Sequence, residues 1–188
     1  MSLLSILSDQ QKVKAYYNDK SATIHLENKL EEYFSTSRHR PTVILCIGTD
    51  RSTGDSLGPL TGSFLMRLSI PQLTVIGTLD EPVHATNLNE SLNFIHNSFL
   101  NPYILAIDAC LGKLDSVGHI TLASGPLKPG AGVHKNLPSV GEAHLTGIVN
   151  VGGFMEYMVL QNTRLSLVWN MAESIGNLLS KAYIRSRI

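Results

Sequence analysis

Three short apolar runs, Val43 to Ile47, Leu73 to Leu79 and Tyr103 to Ile107, alternate with two stretches of helical character, Pro59 to Leu68 and Thr86 to Phe99. Runs of this kind, bounded by Gly, Asp and Pro, read as strands buried on both faces of a sheet. Strand, helix, strand, helix, strand requires crossover connections, which are right-handed and lay the strands parallel. The expected fold is therefore α/β, a three-layer sandwich with a mostly parallel twisted sheet between helices.

The flanks are read in the same way. Residues 1–40 form an N-terminal arm followed by a helix over Ala22 to Phe34, and residues 41–188 form the core of a single domain. Beyond the third strand, His119 to Ala123 reads as a shorter strand and Gly125 to Glu142 as a long loop. Leu145 to Leu160 reads as a helix weakened by Gly147, Gly152 and Gly153. Arg164 to Trp169 reads as a last strand and Ala172 to Tyr183 as a closing helix.

Composition narrows the function. Lys and Arg number 15 and Asp and Glu number 15, so no net field steers the chain to nucleic acid or to an anionic membrane. Neither partner is expected. Cys46 and Cys110 lie in or beside apolar runs as free thiols, which implies a reducing compartment. The start of the chain lacks a basic signal-peptide region, and no run reaches the ~18 apolar residues of a spanning helix. A cytoplasmic location is expected.

Ligands of open α/β sheets bind beyond the carboxyl ends of the strands. Three loops reach that edge here, and they carry Asp50, Asp55, Asp80, Glu81, His84 and Asp108. The loop after the first strand, GTDRSTGDSLGP from Gly48 to Pro59, is glycine-rich but has Asp55 where a phosphate loop needs lysine. A carboxylate there repels phosphate. Asp55 read alone is a helix-start acid, and Asp108 read alone ties loops through backbone N–H groups. Read together they form a converging pair, in which repulsion raises one pKa and suits acid–base work on a water. Asp55, at a helix start, is expected to be the base, and Asp108, the more desolvated, the acid. Glu142 and His144 stand where they could close the same site, and Lys128 lies in a turn-rich connector free to contact a substrate.

These residues resemble a known set. GDSLGP at 54 to 59, IDA at 107 to 109 and PGAGV at 129 to 133 resemble the spore germination protease family, in a match running from Pro41 onward. Closer still is the resemblance to a family of short sporulation proteins of the YyaC type. The resemblance implies that Asp55 and Asp108 are the catalytic pair of an atypical aspartic peptidase. It also implies a protein or peptide substrate, such as small acid-soluble spore proteins, and no cofactor. A more distant resemblance is to the hydrogenase maturation peptidases, whose two acids and a histidine hold nickel. That histidine position aligns with Gly141, so a metal reading needs His144 or His84 to replace the missing ligand. The alternatives are a catalytically inactive peptide- or ligand-binding sporulation protein and a metal-dependent maturation-type peptidase.

Overall fold

The computed structural model describes residues 12–130 and 137–188. In chain order the elements are β1 (Lys12–Tyr16), α1 (Lys20–Thr36), β2 (Thr42–Cys46), α2 (Leu57–Leu68), β3 (Leu73–Ile76), α3 (Leu88–Ser98) and β4 (Tyr103–Gly112). They continue with β5 (His119–Ser124), β6 (Ala143–Val151), α4 (Glu156–Gln161) and α5 (Leu165–Ser186). The six strands form one sheet in the order β1-β5-β6-β4-β2-β3. The pairs β2 with β3, β2 with β4 and β4 with β6 are parallel, while β5 runs antiparallel to both β1 and β6.

Side-chain alternation sends the two faces of the sheet to two cores. Ile44, Cys46, Leu105, Ile107, Leu122 and Leu145 meet α1, α2 and α5 on one face. Val43, Leu45, Ile47, Ile104 and Ala106 meet Leu88, Leu92 and Ile95 of α3 on the other. The sheet thus lies between helices. Each fully buried aliphatic side chain contributes about 1.5–3 kcal/mol of transfer free energy, so these strand centres set the stability of the molecule.

The two helices on opposite faces fix where a crevice opens. From β2 the chain passes through α2 to β3 on one side, then returns through α3 to β4 on the other side of β2. The carboxyl edge between β2 and β4 is therefore a topological switch point, where the outgoing loops part. Asp55 follows β2 and Asp108 lies on β4.

Two elements differ from their sequence reading. Leu145 to Leu160 is not one helix. Ala143, Leu145, Gly147 and Val149 point inward and His144, Thr146, Ile148 and Asn150 outward, the period-2 pattern of strand β6. Gly147 hides that pattern because its inward side carries no side chain; Leu57 and Met171 fill the space, at 2.4 and 2.9 Å from where a Cβ would stand. Only the short helix α4 remains of the expected one. Likewise Arg164 to Trp169 is no strand, since Leu165 opens the 22-residue helix α5. Val168, Met171, Ala172, Ile175, Leu178, Leu179 and Ala182 make one buried helical stripe, and this outweighs a brief alternation at its start.

The expected N-terminal arm contributes β1, and α1 starts at Lys20, with the Asp19 carboxylate accepting from the N–H groups of Ser21 and Ala22. Among the described residues no helix is long and apolar enough to cross a membrane.

Candidate active site

Two glycines hold the loop after β2 against the sheet. Gly48 has φ +148°, and a Cβ there would stand 2.0 Å from the carbonyl oxygen of Asp55. That carbonyl accepts the N–H of Thr49 at 3.2 Å, so the loop doubles back onto the strand end. At Gly58 a Cβ would stand 2.1 Å from the Ile47 carbonyl oxygen, which lets the first turn of α2 approach β2. Asp55 consequently sits in a short 3-10 turn, Gly54–Ser56, just before α2. It is not a helix cap: the residue preceding α2 is Ser56, and no side chain caps that end.

Asp108 stands on β4 itself, because the strand continues to Gly112 rather than stopping at Ile107. Ile104 and Ala106 point toward α3, and Asp108, two residues further, points the same way. From this residue onward β4 is only partly buried. Oδ1 of Asp108 accepts the N–H of Ala109 at 2.8 Å.

The two carboxyl groups act on each other. Burial, and then the charge of Asp55, push the Asp108 carboxyl up to about 8, against the opposing bond from Ala109. Asp55 is also raised, by burial, and the neighbouring Ser52 hydroxyl works in the opposite direction. At neutral pH Asp108 is thus the protonated partner. Cys110, on the same side of β4, is raised by burial to about 11, with Thr146 opposing. A thiol held that high is not a nucleophile near neutrality.

Directly across from Asp108 on β6 stands Thr146; Thr121 follows on β5 and Lys14 on β1, forming one lateral row. On β1, β5 and β6 this side of the sheet is the more exposed one. Asp108 lies at the border between that open face and the part covered by α3.

The other expected site residues are spread more widely. Glu142 and Gly141 lie at the amino edge of β6, where the Glu142 N–H donates to Ile104 and its carboxylate pairs with Arg40. Both are therefore at the opposite end of the strands from the acids. His144 lies beside Ala106, one row below Asp108 on its face, with Nδ1 against the Gly125 carbonyl at 2.9 Å. His84, half-buried after β3, has Nδ1 2.8 Å from the Thr86 hydroxyl. Asp50 is exposed in the glycine loop, and Lys128 is exposed in the connector. The PGAGV run continues through residues 131–133, which lie outside the described residues. Thr146 and Ser52 were missed from the sequence: Thr146 because its strand was read as a helix, and Ser52 because a serine in a polar loop carries no signal.

The donors placed around the acids among the described residues do not suit nickel. Around the acids stand hydroxyl groups, and among the described residues no three His, Cys, Asp or Glu side chains are placed to hold a metal ion. An apolar groove of about 150 Å³ between α2 and α5, lined by Leu60, Phe64, Leu68 and Trp169, contains neither acid.

Because the Arg40–Glu142 pair is half-exposed, with side-chain exposures of 27 and 52%, its role is local bracing of the β4 and β6 starts. Glu142→Gln is expected to change peptide cleavage less than about twofold and to lower stability by under about 1 kcal/mol, read by thermal unfolding.

A mixed α/β sheet with this edge defines a class of fold shared with a known peptidase. The chain superimposes on the [NiFe] hydrogenase maturation protease HycI from Thermococcus kodakarensis KOD1 with a TM-score of 0.55, at 17% identity, covering 82% of this chain and 98% of that one. Over residues 14–178 the chain matches, and belongs to, the family described as protein of unknown function (DUF1256). It is 50% identical over 177 residues to the uncharacterized protein YyaC of Bacillus subtilis (strain 168), covering 93% of this chain and 86% of YyaC.

Proposed function

We propose that the protein is a peptidase in which Asp55 and Asp108 divide the work on one water. The observation that carries this reading is the unequal pair at the switch point: one carboxyl held protonated to about 8, beside a second acid at the start of a helix. Asp55, as carboxylate, takes a proton from the water while its oxygen adds to the scissile carbonyl carbon. Asp108 gives its proton to the carbonyl oxygen. Collapse of the tetrahedral intermediate then re-forms the carbonyl as its hydroxyl proton returns to Asp108, breaks the C–N bond, and the proton held by Asp55 passes to the leaving amine. The fold likeness to a maturation protease supports the class of reaction. The substrate is a protein, with small acid-soluble spore proteins the first to try, and the setting is the cytoplasm of a sporulating cell.

Incubation of the protein with such substrates between pH 4 and 9, read by mass spectrometry, tests the reading. Cleavage needs Asp55 ionised and Asp108 protonated, so activity is expected to fall on the alkaline side near pH 8 and on the acid side above the ordinary carboxylate range. Asp55→Asn is expected to lower kcat by about 10²–10⁴-fold. Full cleavage by both this variant and Asp108→Asn would sink the mechanism.

A further inference from the structure

Eight polar residues are buried among the described ones: Ser37, Thr42, Ser52, Ser56, Thr61, Thr163, Ser180 and Ser186. Seven of their hydroxyls are satisfied. Ser37, Ser56, Thr61, Thr163, Ser180 and Ser186 each donate to a backbone carbonyl within their own helix or turn, and Thr42 accepts from Arg187. Ser52 is the exception. It is 5% exposed, and its Oγ makes no hydrogen bond of full geometry, although it lies near enough to the Asp55 carboxylate to pull that acid's pKa down. A buried hydroxyl in that state costs stability, and native structures keep such a group where a water or a reaction uses it.

Its place in the fold says which. Ser52 lies in the Gly48–Gly54 loop, three residues before Asp55 and close enough to act on that carboxylate. The other buried polar atoms without partners, Tyr33 Oη and Arg187 Nε, belong to elements remote in sequence from this loop. We infer that Ser52 is a positioning residue of the aspartate site: its hydroxyl holds, with Asp55, the water that attacks the substrate.

The inference rests on the peptidase reading. A buried water needs two to four polar partners, and Asp55, Ser52 and Asp108 supply them. Giving one hydrogen to the Asp55 carboxylate and the other to Ser52 Oγ, the water keeps a lone pair for the scissile carbonyl. The serine hydrogen is then free to turn toward Asp55, which matches the direction in which Ser52 acts on that acid. The gain is orientation of the nucleophile, so the effect belongs in kcat rather than in substrate binding.

The test uses Ser52→Ala and Ser52→Gly in the full chain, with thermal unfolding, carboxyl-carbon NMR titration of Asp55, and cleavage kinetics. The expected result is folded protein with an unfolding temperature close to that of wild type, since the hydroxyl that is lost makes no well-formed hydrogen bond and acts only on the neighbouring Asp55 carboxylate. Asp55 is expected to titrate higher, by about half a pH unit or more. The acid limb of the cleavage profile is expected to move up with it, and kcat to fall about 10–100-fold at unchanged KM. An Asp55 titration identical to wild type in a folded variant overturns the inference. So does a rise in KM at unchanged kcat, or failure of both variants to fold, which would make Ser52 structural. The titration needs no substrate, so absence of cleavage by wild type defeats the peptidase reading without obscuring the contact between Ser52 and Asp55.

Discussion

Asp108→Asn is expected to give a protein that is inactive yet more stable than wild type at neutral and alkaline pH. The substitution keeps the shape of the side chain and the bond from the Ala109 N–H, and removes only the ability to ionise. Asp108 has a folded value of about 8 against an ordinary 3.8, so between those values the folded state holds a proton that the unfolded chain has released. Stability then falls as pH rises from about 4 to about 8 and levels off above. Asp55, shifted in the same direction, adds to the slope. In the variant Asp108's share of that loss is absent, and with the group only partly buried the gain at pH 9 is on the order of 2–4 kcal/mol. Urea unfolding of both proteins at pH 5 and pH 9 checks it. Equal pH dependence in the two proteins would show that Asp108 is not the strained acid. Loss of the general acid should lower kcat by about 10²–10⁴-fold at the same time.

Gly48→Ala is expected to damage both fold and chemistry. The new methyl would stand 2.0 Å from the Asp55 carbonyl oxygen, at a φ of +148° that side chains other than glycine rarely adopt. Backbone must move, because the obstructing atom is not the tip of a flexible side chain. The cost is about 3 kcal/mol of stability. Asp55 would shift by an ångström or so relative to Asp108, enough to lower kcat about 10²-fold in the molecules that still fold. Thermal unfolding and cleavage at matched folded fraction separate the two losses. An unchanged kcat in the folded protein would mean that Asp55 does not depend on this contact.

The parallel half of the sheet was legible because its signals are local. Val43 to Ile47 and Tyr103 to Ile107 have no polar position to hesitate over, and the stripe through Leu88, Leu92 and Ile95 turns one way only. The second half was harder. Gly147 breaks the alternation of β6, and the residues that complete it, Leu57 and Met171, come from α2 and α5. Leu165 to Trp169 offers both periods, and only the stripe running on to Ala182 decides for a helix. Glu142 looked close to the acids because it is close to His144 in sequence, but a strand carries its two ends to opposite edges of a sheet.

Residue order alone determined that two acids would follow or end buried strands, since an aspartate after a run of Val, Ile and Leu has nowhere else to stand. It also determined the glycines that let a loop fold back on its strand. The tertiary structure decided which groups surround those acids. By making Ala143–Val151 a strand beside β4, it set Thr146 across from Asp108 and carried Gly141 and Glu142 away from it. By burying the loop after β2, it left the Ser52 hydroxyl beside Asp55 without a well-formed hydrogen bond, and burial raised both carboxyl groups. Charge and period are properties of a segment, but desolvation and mutual repulsion depend on what distant segments bring within reach.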